Sequence, residues 1–209
     1  MQYDALMDET TSLLASAIGE RVKVERKARR WTLDQLAEAA GVSRRMIVNV
    51  EQGATNPSVG TLLRISDALG VGLPTLVEPP ESSLRSVSVT RSGDGATLWT
   101  GEFGGTGILV AGTRSPDVVE LWDWTLEPGE QHVSEAHSAG TMELLQVREG
   151  NITVRVAGES ISLAEGDATT FASDAEHSYG NQGSGRARFS LAVFEPGVGT
   201  GHQKEVTHD

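Results

Sequence analysis

The chain has 209 residues, a net charge of −12 and no cysteine, which excludes disulfide frameworks, cysteine-ligated zinc and thiol catalysis. No apolar run approaches the roughly 18 residues of a membrane span. The acidic opening "MQYDALMDET" also lacks the basic-then-apolar order of a signal peptide, so a cytoplasmic protein with no membrane partner is expected. The charge is uneven: residues 13–77 carry nine Lys/Arg against six Asp/Glu, a net of +3, and residues 81–209 carry eight against nineteen, a net of −11. Such asymmetry points to a nucleic-acid-binding part joined to something else.

Residues 1–12 read as an N-terminal tail. Beyond them the pattern is helical as far as residue 77. Ile18 and Val22 anchor a first helix ending in "RKARR", and Trp31 follows as a core plug. In "TLDQLAEAAG" the apolar Leu33, Leu36, Ala37 and Ala40 recur at helical spacing, with Thr32 as N-cap and Gly41 as stop. The run "SVGTLLRISDALG" repeats this with Val59, Leu62, Leu63 and Leu69, capped by Ser58 and closed by Gly70.

Between these lies "AGVSRRMIVNVEQ". Two short helices joined by a glycine-bearing turn have the dimensions of a helix-turn-helix. Ser43 caps the second helix, Ile47 and Val50 face inward, and Arg44, Arg45, Val48 and Asn49 face outward. An arginine fork matches guanine and an asparagine matches adenine in the major groove. Thr32 adds a hydroxyl for a phosphate. We therefore expect Thr32, Ser43, Arg44, Arg45 and Asn49 to meet double-stranded DNA, with Arg29 and Arg30 near phosphates.

The run from Glu25 to Val71, with "TLDQLAEAAGVS", Glu51-x-Gly53 and "NPSVGTLLRISDALGV", resembles the lambda-repressor-like, XRE-type DNA-binding domain over about residues 13–77. The resemblance implies a structural ion pair between Arg26 and Glu51. It also implies a homodimer, because two copies on half-sites one helical turn apart give specific affinity.

Residues 78–86, containing "EPPESS", read as a linker. From residue 87 to 197 short β-branched and apolar runs alternate with glycine-rich turns: 108–112, 118–126, 142–147, 152–158, 168–171 and 188–194. That spacing points to an all-β sandwich or barrel. The stretch 101–107, "GEFGGTG", lacks the Lys-Ser/Thr of a phosphate cradle and reads as a loop. Residues 198–209 read as a C-terminal tail, with His202 and His208 in it.

Two blocks in this half, "EPGEQHVSEAHSAGTMELLQVREG" and "EGDATTFASDAEHSYGN", resemble the paired motifs of the cupin family, a small double-stranded β-helix. Gly129, His137, Glu143 and Gly150 match the first motif, and Gly166, His177 and Asn181 match the second. Glu135 replaces the first expected histidine, and the gap from His137 to Glu143 is one residue longer than the pattern. Residues 135 and 137 are expected on the same face of one strand, because side chains alternate, with Glu143 opening the strand paired to it after a tight "HSAGT" turn. By the same parity His132 would face the other way, toward the surface.

His137, Glu143 and His177 are thus the candidate ligands for a divalent metal, a donor set that suits Zn, Fe, Mn or Ni. Trp122 and Trp124 share a face; they either pack the core or line an apolar pocket with Met142, Phe171 and Tyr179. The joint resemblance implies a one-component regulator: an all-α head that binds operator DNA, and a β-barrel that dimerises and binds a small effector such as an amino acid or carboxylate. The alternatives are a metal-dependent dioxygenase or isomerase carrying a DNA-binding head, and a purely architectural DNA binder.

Overall fold

The computed structural model describes residues 2–77 and 87–200, which fall into two compact units, a helical head and a β domain. The expected linker at 78–86 and both histidines of the C-terminal tail lie outside the described residues.

Among the described residues the head holds five helices: α1 Gln2–Ala28, α2 Leu33–Ala39, α3 Arg44–Glu51, α4 Val59–Leu69 and α5 Leu73–Val77. Residues 2–12 of the expected tail are instead the start of α1. The caps are those expected. Thr32 forms a capping box with Gln35, Ser43 accepts from the Met46 amide, Ser58 accepts from the Thr61 amide, and Gly70 closes α4 with φ 64°. Satisfying orphan amides in this way stabilises a helix start by about 1 kcal/mol.

The head core gathers Ile18 and Val22 from α1, Leu36 from α2, Ile47 and Val50 from α3, and Leu62, Ile65 and Leu69 from α4, each at most 2% exposed. Gly19 explains how closely α1 approaches α3: a Cβ there would lie 2.2 Å from the Val50 carbonyl oxygen. Across the same contact Arg26 grips Glu51 with two hydrogen bonds of 2.5 and 2.7 Å, and its Nη1 donates to the Trp31 carbonyl. The expected ion pair is therefore present, and it locks helix one to the end of helix three.

Among the described residues the β domain has ten strands: β1 Ala96–Thr100, β2 Thr106–Gly112, β3 Val118–Leu126, β4 Gln131–Ser134, β5 Met142–Glu149, β6 Asn151–Val156, β7 Glu159–Ala164, β8 Ala168–Ala172, β9 His177–Gly180 and β10 Ala187–Glu195. They form two antiparallel sheets, in the orders β1-β2-β3-β10-β5-β8 and β4-β9-β6-β7. Strict alternation puts Val118, Trp122, Trp124 and Leu126 of β3 inside with Phe189, Leu191 and Val193 of β10. The sheets enclose an aromatic core in which Trp124 stacks on Phe189 at 5.9 Å and lies 5.8 Å from Trp122.

Strand β4 does not pair with β5, as had been expected; it pairs with β9 in the other sheet. The "HSAGT" segment is thus a crossing between sheets rather than a hairpin. Asn181 fastens the end of β9 from a buried position, donating to the Leu126 and Gly185 carbonyls and accepting from the Gly183 amide.

Candidate DNA interface and ligand site

In the head, the turn between α2 and α3 needs Gly41, whose φ is 62°. It presents α3 with Ile47 and Val50 buried and Arg44 and Arg45 exposed on the opposite side. Asn49 and Val48 are half-buried beside them. Arg44 pairs with Asp34 at 3.2 Å, but both side chains are more than half exposed, so DNA can displace this weak contact. Thr32 and Ser43 use their oxygens as cap acceptors, which leaves each hydroxyl hydrogen free in principle for a phosphate oxygen. Thr32, Ser43, Arg44 and Arg45 thus lie at the N-terminal ends of α2 and α3, and Asn49 lies a turn further along α3.

In the β domain, three of the expected residues meet. Glu143, 1% exposed on the inner face of β5, places Oε1 3.1 Å from Nε2 of both His137 and His177. His137 comes from the segment after β4, and its amide donates to the Ser173 carbonyl. His177 opens β9, and its Nδ1 lies 2.8 Å from the Ala175 carbonyl. That contact fixes Nδ1 as the donor, so in the neutral ring Nε2 carries the lone pair that faces the cluster. His177 Nε2 makes no aligned hydrogen bond of its own. Tyr179 donates its hydroxyl to Glu143 Oε2 from a fully buried position.

The electrostatics follow from this geometry. Burial pushes the Glu143 carboxyl up, but His137, the nearby His177 ring and the Tyr179 hydroxyl outweigh it and hold the group at about 2. Burial lowers His177, and the Glu143 carboxylate beside it more than restores the charge, raising its pKa. Burial and the nearby Glu143 carboxylate push Tyr179 well above its ordinary value. The ionised carboxylate between two imidazole nitrogens calls for a cation at the cluster, either a proton on histidine or a metal ion. The donor atoms of His137, Glu143 and His177 all lie within 4.8 Å of one another. With Nδ1 of His177 anchored on a carbonyl, as metal-bound histidines usually are, the three residues fit a divalent metal.

Other expectations are corrected. Glu135 is exposed and outside the cluster, because β4 ends at Ser134 and the same-face argument has no strand to act on. For the same reason His132 is not a surface residue. It packs 4.7 Å from Trp124 and 5.4 Å from Trp99, and burial drives its pKa down to about 4. Met142 alternates with Glu143 and so faces outward beside exposed Leu144 rather than into the interior. Trp122 and Trp124, 3% and 2% exposed, are packed core. Phe171 pairs directly with Glu143 across β5 and β8, and its ring is 5.7 Å from His177.

Two carboxylates escaped notice in the sequence. Glu120 is 1% exposed and accepts from Trp122 Nε1 at 2.9 Å. It lies in one inner row with Val193, Glu143 and Phe171. Burial, then the neighbouring Glu195, raises it to about 8. Its signal was the parity it shares with Trp122 and Trp124. Glu130 accepts amides of Phe103, Gly105 and Glu127, tying the 101–105 loop to the turn before β4; nothing in the turn sequence marked it.

Comparison with known proteins agrees with this division. Residues 22–76 match the helix-turn-helix family model and residues 122–194 the cupin domain model. The chain is 30% identical over 184 residues to the HTH-type transcriptional regulator SutR of Escherichia coli, covering 88% of this chain and 97% of the relative. Over 60 residues, 29% of this chain and 42% of the relative, it is 40% identical to the immunity repressor protein of Bacillus phage phi105. A crystal structure of an HTH_3 family transcriptional regulator from Vibrio cholerae superposes with a TM-score of 0.70 at 25% identity, covering 89% of this chain and 99% of that one.

Proposed function

We propose how a chain that belongs to the helix-turn-helix transcriptional regulators with a cupin domain couples its two halves: the cupin domain binds a small molecule and thereby sets the affinity of the heads for operator DNA. The observation that carries this reading is the buried Glu143 carboxylate between His137 and His177, in a domain joined to an exposed DNA-reading helix. A closed structural core has no need of an ionised carboxylate, which costs several kcal/mol to bury unless it is compensated. Its retention points to occupancy by something charged.

His137, Glu143 and His177 would hold a divalent ion, Zn, Fe, Mn or Ni, which would supply a fixed positive charge beside the buried carboxylate. Tyr179 holds Glu143 in place from behind, and the Ala175 carbonyl orients His177. We read the domain as a sensor rather than a dioxygenase or isomerase; a regulator related along almost its whole length supports this.

The working form is a homodimer. Its support is the outer face of the larger sheet, where two apolar rows cross three strands in register. Leu121, Ala192 and Leu144 form one row, and Val119, Phe194 and Met142 the other. Val119, Leu121 and Leu144 remain 39%, 44% and 53% exposed in the chain. A second copy would cover both rows and pair two heads for two half-sites.

The test is isothermal titration of the chelator-treated full chain with Zn2+, Mn2+, Ni2+ and anaerobic Fe2+. At least one ion should bind at one site per chain, and His177→Ala should weaken it by about 10- to 100-fold or more. Equal binding by the variant would remove the cluster from the account.

A further inference from the structure

Trp122, Trp124 and Tyr179, expected to line a pocket, are packed in the core, and of the expected aromatic lining Phe171 alone borders the open cleft described next. A cavity of about 400 Å3 sits where the inner faces of β6, β7 and β8 meet. Strands β7 and β8 are the end strands of their sheets, so this is the seam at which the sandwich stands open. Val154, Val156 and Ile161 form its apolar wall on one side and Thr169 and Phe171 on the other. The volume is at the small end of ligand sites, which run from about 300 to 1,000 Å3.

Phe171 also joins this cleft to the cluster. Its ring borders the cleft on one side and packs 5.7 Å from His177 on the other. Ala175, whose carbonyl anchors His177 Nδ1, lines the same cleft. Anything bound here presses on the two residues that position His177.

The lining also selects by charge. Its ionisable groups are Glu159 and Asp174, both carboxylates, and among the described residues no lysine, arginine or histidine lines it. Thr169 and Thr170 add hydroxyls that accept as well as donate. An anionic guest would meet two like charges and an apolar wall. A guest with an aliphatic body and a protonated amino group would bury the body against Val154, Val156 and Ile161. Its ammonium would face the acidic rim or the Phe171 ring, a cation–π contact.

We propose that the seam cleft between β7 and β8 is the ligand site of this domain and takes a small aliphatic amine, not a carboxylate. This departs from the amino acid or carboxylate expected from sequence. It rests on the sensor reading only for its consequence at the DNA.

The experiment compares n-hexylamine with hexanoate on the full-length protein by saturation-transfer NMR titration. The variants are the near-isosteric double Glu159→Gln/Asp174→Asn and the cleft-filling Ile161→Trp, the latter at a side chain already 46% exposed and so tolerant of bulk. The amine should bind about fivefold or more tighter than the carboxylate, the increment expected from two exposed carboxylates. The double variant should bring the ratio close to one, and Ile161→Trp should abolish saturation of the amine. Preference for hexanoate, no binding of either probe, or amine binding unchanged in both variants overturns the proposal. Operator affinity measured in parallel separates the two readings. Amine binding lost in Ile161→Trp but without effect on DNA affinity keeps the site and sinks the sensor. A DNA response that persists in Ile161→Trp sinks the site.

Discussion

The head and the cupin domain carry their chemistry in different ways. In the head the side chains expected to face DNA, Thr32 apart, sit on one eight-residue helix and its cap, and the helical period alone puts Ile47 and Val50 inside and Arg44 and Arg45 outside. In the cupin domain the cluster joins a loop residue, His137, to Glu143 of β5 and His177 of β9, which belong to different sheets. Local sequence dictates the first arrangement; the second exists only once two sheets have closed. The heads are therefore tuned by surface substitutions, whereas the cupin site responds to anything that shifts the sheets.

The largest expected effect sharpens the division of stability. Glu51→Ala leaves Arg26, whose side chain is only 12% exposed, without its partner, and loss of one partner from a buried pair costs about 3–5 kcal/mol. Chemical denaturation should show the head unfolding at much lower denaturant while the cupin transition stays in place. One transition moving as a whole would mean that the halves are not separate in stability.

Next in size is recognition. Arg45→Ala should cost roughly 1–3 kcal/mol of operator affinity and relax base preference at one position, read by fluorescence anisotropy against a library-selected site. Unchanged affinity after replacing both Arg44 and Arg45 would remove α3 from the groove. Metal binding by the cupin domain should be untouched in either variant.

Leu121→Glu tests the outer face of the larger sheet. A charge placed in each of two facing apolar rows should weaken a dimer by about tenfold or more, seen by sedimentation velocity as a shift to monomer and as weaker operator binding with the heads unaltered. A monomeric wild type would remove the dimer from the account.

The smallest effect concerns pH. Glu120 is raised from an ordinary 4.5 to about 8 by burial and Glu195. The folded state therefore keeps this proton to higher pH than the unfolded chain does. The stability it contributes is full below about pH 4.5 and is lost as pH rises toward and past 8. Glu120→Gln should flatten the fall of the cupin melting temperature between pH 5 and 8, by a few degrees. An unchanged slope would show that Glu120 is not the group responsible.

These contrasts also explain what could be read from the residues. The caps Thr32, Ser43, Ser58 and Gly70 and the bounds of β3 were legible because each depends on neighbours a few positions away, whereas the ion pair of Arg26 with Glu51, 25 positions apart, was reached only through the XRE-type resemblance. Strand β7 was not, since its side chains are mostly exposed, nor β9, whose four residues are all buried without alternation. His132 and Glu135 were misplaced because parity holds only within a strand, and β4 stops at Ser134. His137, Glu143 and His177 were found together, but through the cupin resemblance rather than spacing. Glu120 could have been found from its alternation with Trp122 and Trp124. The seam cleft could not, because it depends on which strands end the sheets.

The most direct test of the coupling between cupin and head is the operator affinity of the chelator-treated full chain before and after loading with the ion that titrates to the His137–Glu143–His177 cluster. Fluorescence anisotropy should show a change of about fivefold or more, within the usual range of 5- to 150-fold for coupled sites, and no change in His177→Ala. Identical affinities for the loaded and stripped wild-type protein would contradict the account.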